Sequence, residues 1–296
     1  MSKIKLVIDR EKCVQCGQCI NDCICSVLEF DENNIPKIAK DGEKRCIKCQ
    51  HCLAVCPTGA LSIFGKNAED SLAISNKNIS DDLLNLIQSR RSIRQFKKEN
   101  LSNECLDKIK NMLAWIPTGC NNHKLMFHFI DDIEAMKHFK NKTFEYLKKI
   151  YQKGNITEEQ KKLLLFKQEV LNDKDIIFRD APHLVLVSSP KNAPCADIDP
   201  VIALSYLELY ANSLGAGTLW CGFATYCIQE IPELQKELKV PEDYKPVYCM
   251  LLGPANIKYK RITQPEKYKI VTYNKLVAKF DNFIQGIKDI LSGIFN

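Results

Sequence analysis

The sequence predicts an α+β protein in two parts, on three observations. Nine of the 15 cysteines fall between Cys13 and Cys56, which sets positions 1–66 apart as a block. Residues 67–80 (NAEDSLAISNKNIS) are polar and rich in serine and asparagine, as a linker is. From residue 81 onward helical patterns outnumber strand patterns, and the two do not alternate regularly. That suits an α+β domain and not a doubly wound sheet. The length of 296 residues agrees with about two domains. The odd cysteine count argues against a fully paired disulfide scaffold, and dense cysteine in an intracellular chain usually binds metal. The first residues lack the apolar stretch of a signal peptide, so the expected location is the cytoplasm. A net charge of +6 leaves a nucleic-acid or membrane partner open at this point.

The elements follow in order. Lys5–Ile8, Ile35–Ala39 and Leu61–Phe64 read as short strands around the cysteine runs. Ser80 is expected to cap a helix over Asp81–Ser89, whose first turn is acidic. Ser102 is expected to cap a second, running to about Trp115, with Cys105, Leu106, Ile109, Met112 and Leu113 at helical spacing. His123–Ile130 reads as a strand, and Ile133–Gln152 and Glu158–Leu171 as charge-rich helices. His183–Val187 is a buried strand, Pro200–Leu214 an apolar helix, and Pro246–Leu252 a further strand. Leu209–Gln229 carries no charge, but Asn212, Ser213, Gly215, Gly217 and Gly222 interrupt it. It reads as a helix end, a glycine turn and a core strand or loop, and not as a bilayer span. The tail, 274–296, places Leu276, Phe280, Phe283, Ile287 and Ile294 on one face of an amphipathic helix.

The cysteines fall in two runs, Cys13-x2-Cys16-x2-Cys19-x3-Cys23 and Cys46-x2-Cys49-x2-Cys52-x3-Cys56-Pro57. Cys13, Cys16, Cys19 and Cys23 recur at one fixed offset as Cys46, Cys49, Cys52 and Cys56, which marks an internal repeat. Three thiolates at two-residue gaps wrap one face of a four-iron cubane, and the fourth ligates the other cluster. The spacing therefore assigns Cys13, Cys16, Cys19 and Cys56 to one 4Fe–4S cluster, and Cys46, Cys49, Cys52 and Cys23 to the other. The block resembles the bacterial two-cluster ferredoxins over nearly all of positions 1–66. It departs from them after Cys23, where Ile24-Cys25 stands in place of the usual proline. Cys25 is then either a small buried residue or a ligand in place of Cys23. His51 is either a surface histidine or a hydrogen-bonding neighbour of the second cluster.

Residues 89–96, Ser-Arg-Arg-Ser-Ile-Arg-Gln-Phe, combine arginines and a serine in the manner of a phosphate clamp. They resemble the opening of the nitroreductase family, which grips the phosphate and ribityl chain of FMN. Three further segments match that family in order. These are Pro117-Thr118-Gly119-Cys120-Asn121-Asn122-His123, then Leu214-Gly215-Ala216-Gly217-Thr218-Leu219-Trp220-Cys221-Gly222, then Leu252-Gly253-Pro254 followed by Arg261. The resemblance covers about residues 80–273. It implies a central sheet flanked by helices and a homodimer with FMN at the subunit interface. It also implies flavin contacts from Arg90, Arg91, Ser92, Arg94, Pro117, Thr118, Asn121, His123, Trp220, Cys221, Gly222 and Arg261, with the backbone N–H of Cys221 or Gly222 toward flavin N5. Cys221 stands where the family has an acidic residue, and His123-Lys124-Leu125 replaces its Gln-Pro-Trp. No catalytic acid or base is named, because the flavin carries the chemistry.

The expected domains are thus a ferredoxin-like block (1–66), a linker (67–80), an FMN domain (81–273) and a terminal helix (274–296). The expected function is an FMN-dependent reductase fed through two 4Fe–4S clusters. Its acceptor would be a nitroaromatic, a quinone, an enone or a halogenated compound. The alternatives are an adaptor passing electrons between redox proteins, or NAD(P)H-to-ferredoxin transfer through FMN. Two thiolate-ligated clusters carry about −2 each and an FMN phosphate about −2. These offset the +6, so no nucleic-acid or membrane partner is needed to explain the charge.

Overall fold

The computed structural model describes residues 4–153 and 156–273. The chain divides into two compact units, Met1–Tyr259 and Lys260–Asn296. Within the second unit, residues 260–273 are exposed and carry no helix or strand. The expected helix over 274–296 lies outside the described residues.

The sequence repeat reappears in the backbone of the cysteine block. Strand β1 (Leu6–Ile8) leads to helix α1 (Gln18–Asn21), then to the antiparallel pair β2 (Leu28–Phe30) and β3 (Pro36–Ile38). Helices α2 (Gly42–Arg45) and α3 (His51–Ala54) follow, and β4 (Leu61–Ile63) closes antiparallel on β1. Helix α3 follows α1 at the offset that separates the two cysteine runs. The left-handed residues Gln15, Gly17 and Ser26 likewise recur as Lys48, Gln50 and Gly59. Ile4, Val27, Leu28, Leu53, Leu61 and Ile63 form the block's small core.

The larger part begins with α4 (Ser80–Ser89) and α5 (Asn103–Met112). A four-stranded antiparallel sheet has the order β5 (Met126–Ile130), β6 (His183–Pro190), β8 (Tyr244–Pro254), β7 (Ala216–Trp220). The remaining helices are α6 (Ile133–Lys153), α7 (Lys167–Leu171), α8 (Asp199–Ser213), α9 (Gly222–Glu230) and α10 (Pro232–Glu237). Every residue of β6 is buried, because helices cover both faces of the sheet. Leu184 and Leu186 pack into one core with Leu147 of α6 and Ile228 of α9. Val185 and Val187 pack into the other with Ile109 of α5 and Leu204 of α8. Alternate side chains of one strand thus serve opposite cores.

Several expected elements shift. Ser80 is the first helical residue of α4 and caps nothing, whereas Ser102 Oγ does accept the Cys105 N–H at 3.2 Å. Glu158–Leu171 is not one α-helix. Glu159–Phe166 is a 3₁₀ turn, which puts Leu163 and Phe166, three apart and fully buried, on one side. The strand expected from His123 starts only at Met126. The stretch after Trp220, read as strand or loop, is α9, with Ala224, Thr225, Cys227 and Ile228 turned inward. No helix among the described residues is long and apolar enough to cross a membrane.

Candidate functional site

The eight repeat cysteines line two separate cavities in the first block. Cys13, Cys16, Cys19 and Cys56 surround one, with walls from Ile8, Pro36 and Leu61. Cys23, Cys46, Cys49 and Cys52 surround the other, together with Cys25 and walls from Val27, Leu28, Ile63 and Phe64. The left-handed turns at Gln15, Gly17, Lys48 and Gln50 curl each x2 gap so that successive thiols face inward. The Val27 N–H approaches Cys23 Sγ at 3.3 Å, and the Lys48 N–H approaches Cys46 Sγ at 3.4 Å. Burial raises the thiol of Cys19, and pushes that of Cys52 up to about 11. Among the described residues no three His, Cys, Asp or Glu side chains close on a single-ion position. Four soft thiolates spread around a cavity are the donor set of a four-iron core. His51 lies on the surface with Nδ1 3.4 Å from Asp22.

The arginine segment is strung along the edge of the large sheet. Ser92 bridges Thr218 of β7, the Ile93 N–H donates to Thr218 O at 2.8 Å, and Phe96 bridges Ala255. Two glycines of the later segments are there to admit it. A Cβ on Gly217 would stand 2.8 Å from Ile93 Cγ1, and one on Gly253 would stand 3.0 Å from Phe96 Cδ1 and 2.4 Å from Pro182 Cδ. Arg90 has a structural partner: its Nη1 lies 2.9 Å from Oε1 of the buried Glu208. Arg91 Nη1 donates to Arg90 O, and Arg94 Nη1 reaches Ser92 O at 3.4 Å. The remaining cations and the Ser92 hydroxyl form a donor set suited to a phosphate.

The loop Pro117–His123 is held from two sides. The Gly119 N–H donates to both carboxylate oxygens of the buried Asp199, at 3.1 and 3.0 Å. The His123 N–H donates to Thr118 Oγ1 at 2.9 Å. Cys120, Asn121 and His123 all take positive φ, so the loop turns tightly. Asn121 faces the cysteine block: its Nδ2 donates to the carbonyl of Ile47 at 2.9 Å. Asn121 Oδ1 in turn lies 2.8 Å from His123 Nε2. Ile47 lies between Cys46 and Cys49, so the loop is joined to the wall of the second cavity.

Trp220, Cys221 and Gly222 mark the passage from β7 into α9. The Cys221 N–H donates to Cys249 O at 3.1 Å and continues the ladder, so it does not point toward a ligand. The Cys221 thiol is buried and donates to Ile177 O at 3.1 Å. Of the two expected N5 contacts, only Gly222, in the first turn of α9, remains available in this geometry. Tyr248 stacks edge-on against Trp220 at 5.4 Å, and its hydroxyl would meet a Cβ of Gly222 at 3.3 Å. Tyr248, Glu208 and Asp199 escaped the sequence reading. Each acts through a fold contact that no local motif encodes. Arg261 lies in the exposed stretch of the second unit. The open cleft lined by Lys98, Met136, Lys140 and Phe178 includes none of these residues.

Two family models match the chain: the Nitroreductase family over residues 87–254, and the 4Fe-4S dicluster domain over residues 12–60. An uncharacterized ferredoxin of Methanocaldococcus jannaschii is 32% identical over 60 residues, covering 20% of this chain and 78% of its own. Iodotyrosine deiodinase of Thermotoga neapolitana is 27% identical over 198 residues, covering 65% of this chain and 97% of its own. The crystal structure of an FMN-bound nitroreductase from Desulfitobacterium hafniense is 27% identical. It superposes with a TM-score of 0.52 over 65% of this chain and 98% of that one.

Proposed function

The chain belongs to the nitroreductase family and carries a 4Fe–4S dicluster ferredoxin domain ahead of it, and from that premise we propose that it is an FMN-dependent reductase fed through its own two clusters. The single observation that carries the reading is the Asn121–Ile47 hydrogen bond. It joins a segment that resembles the family's flavin loop to the loop between Cys46 and Cys49. The FMN-bound nitroreductase of D. hafniense supports the flavin. When bound, FMN can take up electrons singly and pass them on in pairs.

The residues divide the work. Cys13, Cys16, Cys19 and Cys56 would hold the first cluster, and Cys46, Cys49, Cys52 and Cys23 the second. Arg91, Ser92 and Arg94 would bind the flavin phosphate through charge-assisted bonds. Asn121, His123, Trp220 and Gly222 would orient the ring. Helix α4 supports a homodimer. It buries none of its residues, and Leu83, Leu84 and Ile87 stand 43%, 52% and 48% exposed on one face. An apolar helix face of that kind calls for a partner, and a second copy would complete the flavin site at the interface.

Anaerobic turnover tests the reading. Protein reduced at its clusters should reduce a nitroaromatic, quinone, enone or haloaromatic acceptor, iodotyrosine included because a deiodinase is among the relatives. Reoxidation by other redox proteins only, with no organic acceptor consumed, would replace the reductase with an electron-transfer adaptor.

A further inference from the structure

The second cavity has one thiol more than a four-iron cluster uses. Cys25 lines it with Cys23, Cys46, Cys49 and Cys52. Cys23 and Cys25 are both half-buried, whereas Ile24 between them is 87% exposed. Ile24 thus points to solvent at the turn, and both thiols line the one cavity. The Arg45 guanidinium fixes the turn from outside, donating from Nε to Cys25 O at 3.0 Å and from Nη2 to Ser26 O.

The repeat gives the position its meaning. Cys23 corresponds to Cys56, and at the same offset Cys25 corresponds to Thr58. At the first cavity Thr58 is part of the lining, and its Oγ1 lies 3.8 Å from Cys56 Sγ. The second cavity holds a thiol where the first holds a hydroxyl. A hydroxyl beside a ligand sulfur can only hydrogen-bond to it, whereas a thiol can lose its proton and bind iron itself.

We propose that Cys25 is a reserve ligand of the second cluster, exchangeable with Cys23 at the same iron. In the exchange the Cys25 sulfur forms the new iron bond and gives up its proton. The Cys23–iron bond breaks, and the Cys23 thiolate takes a proton up. No electron moves, and the charge of the ligated cluster is unchanged. The first cluster has no such reserve, because Thr58 offers no thiolate. The proposal rests on the 4Fe–4S reading of the two cavities.

Iron and sulfide content, with EPR of the reduced protein, test it on the full chain. Wild type should hold about eight irons, and a lower content would overturn the two-cluster reading itself. Given that, Cys23→Ala should keep about eight irons, with an altered EPR signal and midpoint potential for the second cluster. The double variant Cys23→Ala/Cys25→Ala should fall to about four. Cys25→Ala alone should also keep about eight irons, with Cys23 as the fourth ligand of the second cluster. Retention of the first cluster's EPR signal reports whether the cysteine block of each variant is folded. If folded Cys23→Ala already holds only about four irons, Cys25 does not ligate. If the double variant keeps about eight, some other group does, and the proposal falls.

Discussion

The side-chain amide of Asn121 lies 2.9 Å from the carbonyl oxygen of Ile47, and through that bond a loop of the nitroreductase part touches the cysteine block between two cluster-spaced thiols. The bond is built from both ends. Left-handed backbone at Cys120 and Asn121 turns the amide outward, and left-handed backbone at Lys48 follows the Ile47 carbonyl. His123 Nε2 on Asn121 Oδ1 fixes the amide orientation that points Nδ2 at Ile47. Of the two cavities, the one lined by Cys23, Cys46, Cys49 and Cys52 is thereby joined to this loop.

Asn121→Ala should therefore weaken the coupling between the two parts and leave both clusters in place. Losing one such bond costs about 1 kcal/mol. Iron content should match wild type, and stopped-flow reduction of the bound flavin by electrons supplied at the clusters, taken per flavin, should slow. Asn121→Asp should slow it further, because a carboxylate oxygen would oppose the Ile47 carbonyl. An unchanged rate in both variants would separate this contact from the electron route.

Two arginines of one segment, Arg90 and Arg94, are expected to fail in different ways. Arg90 pairs with Glu208, which is 9% exposed in its side chain and lies 3.4 Å from Thr218 Oγ1. Arg90→Ala leaves that carboxylate buried without its counter-charge. Allowing for the partial exposure of Arg90, the cost is about 2 kcal/mol of stability, read by chemical denaturation. Adding Glu208→Gln should recover part of it. Arg94→Ala should leave stability near wild type and weaken FMN retention by one charge-assisted bond, about 1.5–3 kcal/mol, or roughly tenfold to a hundredfold in Kd. Full flavin in Arg94→Ala would remove it from the phosphate clamp.

This contrast shows what the sequence could and could not convey. The cysteine spacing carried the grouping of thiols that lines each cavity, because the gaps within a run and the fixed offset between runs are local facts. The Arg-Arg-Ser-x-Arg run carried a phosphate-binding composition, but nothing in it distinguishes Arg90 from Arg91 and Arg94. That distinction depends on Glu208, far along the chain, which only the fold brings near. Gly217 and Gly253 read only as members of the later segments, with no role of their own, yet they are required where Ile93 and Pro182 press on the sheet. Cys221 read as a flavin neighbour, but the ladder to Cys249 takes its N–H. Helix α9 was hidden because a helix buried on this scale loses the polar face that reveals period.

His183 predicts the acid limit of the larger part. It is fully buried at the head of β6, and its Nε2 accepts the Leu101 N–H at 2.9 Å. Burial holds its pKa below the ordinary 6.5. The unfolded chain takes up the proton near 6.5, whereas the folded chain resists it. The stabilisation is therefore complete above that value and is lost as pH falls from 6.5 toward the depressed folded value. Protonation would also set a hydrogen on Nε2 against the Leu101 N–H. Denaturation midpoints should fall from about pH 7.5 to about pH 5.5, with up to about 1.4 kcal/mol per pH unit from this group. His183→Gln should flatten the slope, and His128, whose pKa burial also depresses, should account for part of what remains. Equal slopes in His183→Gln and wild type would assign the acid limit elsewhere.

Cys56 tests the crossing of the two runs. It belongs in sequence to the second run, yet it lines the cavity of Cys13, Cys16 and Cys19. The antiparallel closure of β4 on β1 brings it there, since Leu61 pairs with Ile8 just before the first run. Cys56→Ala should therefore remove the first cluster and spare the second. Iron should drop from about eight to about four, and the remaining EPR signal should be that of the cluster held by Cys46, Cys49 and Cys52. Thr58 cannot substitute, because its hydroxyl does not ionise near neutral pH as a thiol does. A variant that loses the Cys46–Cys52 signal and keeps the other would show that each run ligates its own cluster, and the pairing of Cys56 with Cys13, Cys16 and Cys19 would be wrong.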